Sequence, residues 1–258
     1  MKIAVLSAAG RCGATASILL MAAAIAETQD RAVRICYTGE NRSLKRYAGR
    51  DADVRDATMT ISQVSKLLEA HAIAPESLSD YCTKLAPNLD IMDSWDESLT
   101  EEEMVSLLTF AYSRNTTDYI FCDLAQDLED PVALSVLSVS DAVVIVSEPS
   151  KASLDAVREM QESPLWPKDV PCMLLIAKYN EAIDSVSKLA KLSQFKLRST
   201  CKVHYNPLIT KYCSSGQLLT IVPYVIKRDP RVVELNNDLR ECTQFFLSLN
   251  NAKLKWEK

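Results

Sequence analysis

Glycine is scarce, with five in 258 residues. Any glycine in a turn therefore marks a place where few other residues would fit. Histidine is scarcer still: only His71 and His204 occur, which excludes a histidine-rich metal site. The eight cysteines, Cys12, Cys36, Cys82, Cys122, Cys172, Cys201, Cys213 and Cys242, stand singly. No C-x-x-C pair occurs, so a cysteine zinc site has no support. Several lie in apolar runs, as Cys122 does after Tyr119-Ile120-Phe121, and buried free thiols in a reducing cytosol fit that pattern. Positive charge is not in excess. The chain has 29 Lys and Arg against 34 Asp and Glu, a net charge of -5, which disfavours an overall basic nucleic-acid binder. Repeats, low-complexity tracts and Gly/Ser linkers are missing, so one domain over 1–258 is the simplest account. The apolar run 16–26 is too short to cross a bilayer. Ile3-Ala4-Val5-Leu6, a separate apolar run ahead of Arg11, speaks against a secretory leader, whose start should be polar. A cytoplasmic protein is expected.

What is present is an alternation of two periods. Continuous apolar, β-rich runs occur at 2–7, 32–37, 89–92, 119–123, 142–147, 172–177 and 200–204. Helical stretches lie between them, among them 15–27, 61–70, 101–114, 151–162 and 231–249. Strands without polar alternation are buried on both faces, which argues for a parallel sheet. The order predicts an α/β fold: right-handed βαβ units wound into a mostly parallel sheet with helices on both faces. The polar stretch 39–60 reads as a long loop or a weakly ordered segment.

In such sheets ligands sit beyond the carboxyl ends of the strands. The first such end reads Ser7-Ala8-Ala9-Gly10-Arg11-Cys12-Gly13-Ala14-Thr15, holds two of the five glycines, and leads into a helix. That arrangement suits an anion cradle, because free backbone N–H groups and the helix dipole point to one place. Thr15 sits where a hydroxyl could ligate Mg²⁺. A plain tight turn, with Thr15 as an ordinary helix-start residue, accounts for the same letters.

The turn resembles the deviant Walker A loop of the MinD/ParA ATPases, K-G-G-x-G-K-[ST], here Ala9 to Thr15. Asp118 to Asp123 resembles the Walker B strand with its terminal acid. Ser140 to Ser150 resembles the next strand and its loop, and Val203 to Asn206 followed by Gly216 resembles the late base-side loop and helix. The resemblance covers nearly the whole chain. Segment 61–94 is most similar to the TadZ/CpaE pilus-assembly branch. The resemblance implies a P-loop fold, nucleotide contacts from Gly10, Arg11, Cys12, Gly13, Ala14 and Thr15, and Mg²⁺ held by Thr15 and Asp123. It implies ATP and Mg²⁺ as ligands, other protein subunits as partners and a possible homodimer.

The departures fall on charged positions. Ala14 and Ala9 stand where the family has its phosphate-binding lysine and its subunit-bridging lysine. Arg11 replaces the second glycine. Tyr37 and Gly39 occupy the places of an acidic pair, and Ala177 that of the base-binding Asn, with Asn180 out of register. Each lost charge costs roughly 10²-fold or more in rate, so a degenerate ATPase is expected. Arg11 either reaches a phosphate, fills the cradle or is simply solvated. Asp123 either binds Mg²⁺ or caps nearby N–H groups.

Other features are ordinary. Thr100 with Glu101, Glu102 and Glu103 reads as a helix start, and Asp155, Arg158, Glu159 and Glu162 as a solvated face. His204 has no carboxylate partner at a recognisable spacing, so a structural role is expected. Lys227, Arg228 and Arg231 are too few for a DNA surface, and Pro230 suits a first helical position. The tail 250–258 has little apolar surface for a membrane, and a terminal helix, frayed or packed, is expected. The expected function is a positioning or assembly factor acting through protein contacts, with a slow ATP-dependent dimer switch and a ParA-like DNA partition protein as rivals.

Overall fold

The computed structural model describes residues 1–38, 44, 46–47, 61–92, 99–113, 117–124 and 128–250. The expected loop 39–60 lies mostly outside these residues, and so does the tail beyond Asn250. Eight strands are described: β1 (Lys2–Ser7), β2 (Val33–Tyr37), β3 (Thr83–Ala86), β4 (Leu89–Ile91), β5 (Tyr119–Asp123), β6 (Ala142–Ser147), β7 (Cys172–Tyr179) and β8 (Thr200–His204). The described α-helices are α1 (Ala14–Gln29), α2 (Ile61–Glu69), α3 (Glu101–Ser113), α4 (Pro131–Ser138), α5 (Lys151–Glu162), α6 (Val186–Leu192), α7 (Pro207–Ser215), α8 (Val222–Ile226) and α9 (Val233–Leu249).

The strands form one sheet in the order β3-β4-β2-β5-β1-β6-β7-β8. Every pairing is parallel except β3 with β4. The doubly wound, mostly parallel α/β architecture expected from the sequence is what the chain forms. Its cause is visible in β1. Ile3 and Val5 point into an apolar layer with α1, α8 and α9, while Ala4 and Leu6 point into the opposite layer with α3 and α4. A third cluster joins β6 and β7 to Leu154 and Val157 of α5 and Leu189 of α6. With no face left to water, polar alternation has no place in the central strands. Phe121 of β5 meets Phe246 of α9 edge-to-face, with ring centroids 5.6 Å apart. Each large side chain buried this way stabilises the fold by about 1.5–3 kcal/mol.

Run 16–26 lies within α1, which is buried along most of its length. Among the described residues no helix is long and apolar enough to cross a membrane. All eight cysteines are free: five are buried, and Cys82, Cys172 and Cys213 are half-buried. Burial pushes the Cys122 thiol up to about 12.

Several boundaries differ from expectation by one or two residues, and two of them bear on the site or on a predicted cap. β7 continues past Ala177 to Tyr179, with a register irregularity against β8 between Ile176 and Tyr179. The last helix begins at Val233, after a 3₁₀ turn over Pro230–Val232 whose start is capped by the Asp229 side chain, which accepts from the Arg231 N–H at 3.0 Å. Pro230 does open a helical turn, but of the tighter kind. The box at Thr100 is reciprocal: Thr100 N–H donates to Glu103 Oε2 at 2.7 Å, and Glu103 N–H donates to Thr100 Oγ1 at 3.2 Å. Asp155 and Arg158 pair with each other on the outer face of α5.

Candidate functional site

The chain runs from β1 through α1 to β2 on one side of the sheet, and from β5 through α4 to β6 on the other. The reversal places a crevice at the carboxyl ends of β1 and β5. The loop from Ser7 to Gly13 occupies it. Three bonds shape this loop. Ala8 N–H donates to Val146 O at 2.8 Å, the Cys12 thiol donates to the same oxygen at 3.3 Å, and Ser17 N–H donates to Gly13 O at 3.0 Å, opening α1. The Cys12 side chain is therefore turned into the core.

Gly13 has φ of 99°, in the left-handed region that favours glycine. Arg11 has φ of 61°. It is the position where the family pattern carries its second glycine, and here a bulky residue takes the left-handed conformation. Arg11 is exposed. Gly10 is also exposed, without positive φ, and is not part of the cleft wall described below. Ala14 is buried and begins α1. That helix end has no side-chain cap and no acidic residue in its first turn. Its partial positive charge is therefore not offset by its own sequence.

Thr15 Oγ1 donates to Asp123 Oδ2 at 2.9 Å. The two residues singled out from sequence for Mg²⁺ thus meet, one following β1 and the other ending β5. Asp123 is buried and pairs in register with Val5 on one side and Tyr37 on the other. Tyr37, at the place of a family acid, is itself buried. Gly39 lies outside the described residues. A hydroxyl and a carboxylate in contact fit the oxygen-ligand chemistry of Mg²⁺, so this pair could hold the ion, which would screen the charge of a bound polyphosphate.

A cleft of about 660 Å³ opens from the loop toward β8 and α7. Arg11 to Ser17 form one wall. Ala177, Lys178, Val203 to Asn206 and Ile209 form much of the other, and Arg46 and Tyr47 also line it. Its size suits a small organic ligand. Asn206 caps α7, its Oδ1 accepting from Leu208 N–H at 2.9 Å. Gly216 closes α7 with φ of 71°, and a Cβ there would lie 2.7 Å from Arg46 O, so only glycine fits. Asn180 is engaged in a local turn, its Oδ1 accepting from Ala182 N–H at 3.0 Å.

Two features of the site are not legible in the sequence. The first is Lys178. Its Nζ donates to Arg11 O at 2.6 Å and lies 3.2 Å from Glu148 Oε2. Its φ is 55°, again left-handed without glycine. An ammonium group therefore stands on the loop, contributed from the end of β7. The second is a partner for His204. Asp238, almost wholly buried on α9, accepts from His204 N–H at 2.8 Å and faces His204 Nδ1 at 2.8 Å. Lys202 Nζ lies 4.0 Å from the other Asp238 oxygen. Burial raises the Asp238 pKa, while the bonds from His204 and the charge of Lys202 pull it back. An ionised Asp238 keeps the imidazole proton on Nδ1. His204 Nε2 is buried and has no hydrogen-bond partner among the described residues. The ring packs edge-on against Tyr179, with centroids 5.0 Å apart.

No family model matches the chain, and no curated protein matches its sequence. Solved structures do match. A ParA family ATPase from Chlorobium tepidum superposes with a TM-score of 0.69 at 18% identity, covering 92% of this chain and 95% of that one. MinD complexed with Mg-ADP from Pyrococcus horikoshii gives 0.70 at 16% identity, covering 98% of each chain. The MinC:MinD cell division complex of Aquifex aeolicus gives 0.70 at 16%, covering 95% of each. The fold is that of the MinD and ParA ATPases. A plasmid partition protein from Borrelia burgdorferi shares it more loosely, with a TM-score of 0.59 at 17% identity.

Proposed function

We propose that this chain is a hydrolytically impaired relative of the MinD/ParA ATPases. It acts as a single domain that positions or assembles other proteins through direct contacts. The observation carrying this reading is the loop itself. The Thr15–Asp123 pair is kept, but Ala9 and Ala14 stand where the family's two lysines belong. Phosphoryl transfer depends on cationic groups at the phosphates. A loop that keeps the hydroxyl and acid but lacks its own ammonium groups is suited to holding a ligand rather than cleaving it. Arg11 to Thr15 would form the cradle, with Thr15 and Asp123 holding Mg²⁺.

The TadZ/CpaE branch is the finer assignment, resting on segment 61–94, and pilus assembly is the process it suggests. The MinC:MinD complex supports protein partners as the output of this fold. A net charge of -5 speaks against DNA as the partner. The test is steady-state ATP turnover by the purified chain. No phosphate release above the blank is expected. Repeated turnover lost in Asp123→Ala would overturn the reading.

A second reading, a slow ATP-dependent dimer switch, is favoured by one observation: the Lys178 ammonium on the loop. Light scattering with and without ATP and Mg²⁺ separates the two, because the switch requires a change of mass on adding nucleotide.

A further inference from the structure

We infer that Lys178 supplies, from the end of β7, the phosphate-binding ammonium that the loop itself lacks, and that Glu148 holds it in reserve until a nucleoside polyphosphate arrives. The inference rests on the reading of this site as a nucleotide cradle and goes on to name the residue that grips the ligand.

Four observations converge. Lys178 Nζ already touches the loop, 2.6 Å from Arg11 O. Its stem passes over the start of α1, with Cε 4.0 Å from where a Gly13 Cβ would lie. The ammonium therefore stands beside the uncapped N-terminus of a 16-residue helix, where an anion gains from both. Second, its backbone is left-handed at φ 55°, next to an irregularity in the β7–β8 register. Bulges of this kind re-aim side chains, and strained backbone collects at functional positions. Third, Ala14 and Ala177 present only methyl groups to this corner, so no other side chain from those positions occupies it. Fourth, the Glu148 partner is only half-exposed and anchored. Glu148 N–H donates to Ser153 Oγ at 3.3 Å, and Ser153 Oγ lies 2.9 Å from Ser147 Oγ.

The ligand follows from the walls. Polyphosphate charge matches Lys178 and the helix end. The cleft continues past them to Ala177, Val203 and Ile209, an apolar stretch suited to a flat base. A carboxylate 3.2 Å from the ammonium opposes any incoming phosphate and competes for the same cation. Phosphate binding must therefore draw Lys178 away from Glu148, which makes the ion pair a latch.

Titration calorimetry of the full chain tests this with Mg-ATP, Mg-ADP, Mg-pyrophosphate and adenosine. Lys178→Gly is the variant of choice, because glycine suits the left-handed backbone and keeps the fold; thermal melting checks that. The expected result is that Mg-ATP binds the natural chain and that Lys178→Gly weakens it by roughly 10- to 100-fold, the worth of a charged hydrogen bond. Glu148→Gln should tighten it by roughly 2- to 5-fold, the worth of a half-exposed ion pair. That tightening separates a phosphate anchor from a lysine that merely staples the loop, since loosening a staple weakens binding. The inference is overturned by unchanged affinity in Lys178→Gly, by weakening in Glu148→Gln, by loss through Arg11→Ala in place of Lys178→Gly, by pyrophosphate binding as tightly as ATP, or by no binding of any probe at millimolar concentration. Steady ATP turnover would overturn the non-hydrolytic reading and leave this inference to the isotherms. Unchanged binding without Lys178 would end this inference and leave that reading intact.

Discussion

Thr15 and Asp123 are 108 positions apart in sequence, yet the hydroxyl of one donates to the carboxylate of the other at 2.9 Å. The bond ties the start of α1 to the end of β5 across the crevice where the chain reverses its path over the sheet. Replacing the hydroxyl by a methyl in Thr15→Val should lower unfolding free energy by about 1–2 kcal/mol, while Thr15→Ser, which keeps the donor, stays near the natural chain. Urea titration measures both. Equal midpoints for the two variants would show that the bond adds nothing.

The two loop glycines should respond differently. At Gly13 a Cβ has room, its nearest neighbour being Ala177 Cβ at 3.6 Å, but the φ of 99° is hostile to an L side chain. Gly13→Ala is expected to cost about 1–2 kcal/mol. Gly10 is exposed and free of positive φ, so Gly10→Ala should stay within about 0.5 kcal/mol. Thermal unfolding of the pair separates backbone conformation from crowding.

A buried ion pair lies away from the cleft. Arg34 Nε donates to Asp90 Oδ1 at 2.8 Å, and Arg34 Nη2 donates to Asp90 Oδ2 at 3.1 Å and to Ser79 Oγ at 2.7 Å. Arg34 is 0% exposed. Asp90→Ala leaves its charge without a counter-ion and should destabilise by about 3–5 kcal/mol. Replacing both partners by apolar residues of similar volume should cost less than the single change, because no uncompensated charge remains. Denaturant unfolding of the single and double variants provides the comparison.

Asp238 provides a test by pH. Burial holds its pKa above the ordinary 3.8, despite the opposing bonds from His204. The folded chain therefore binds this proton more tightly than the unfolded chain. Its contribution to stability falls as pH rises from below 3.8 through the raised value, then levels off. Unfolding midpoints of the natural chain and Asp238→Asn, compared between about pH 3.5 and 6, should diverge in that direction. A difference independent of pH would contradict the assignment.

The central strands could be read from the sequence because burial on both faces leaves an uninterrupted apolar signature. β5, β6 and β8 coincide with the expected runs end for end. β3 could not be read this way. It is a four-residue edge strand, half-exposed and carrying Lys84, so nothing in its letters separates it from a loop. At the site, Thr15 and Asp123 were legible because each sits at a landmark, a turn after a strand and an acid ending one. Lys178 was not. It is a single charged residue after an apolar run, and what makes it matter is a left-handed backbone and a register irregularity, neither of which is spelled in the residue types. The His204–Asp238 contact joins β8 to α9 across 34 positions, and only the packing of helix on sheet brings the two together.

The bend between β1 and α1 is not self-sufficient. Its carbonyl at Arg11 rests on a side chain 167 positions downstream, and its Cys12 thiol hangs from a strand 134 positions away. Transplanting residues 7–15 into another protein would carry over their letters without their shape, since three strand tips together act as the mould.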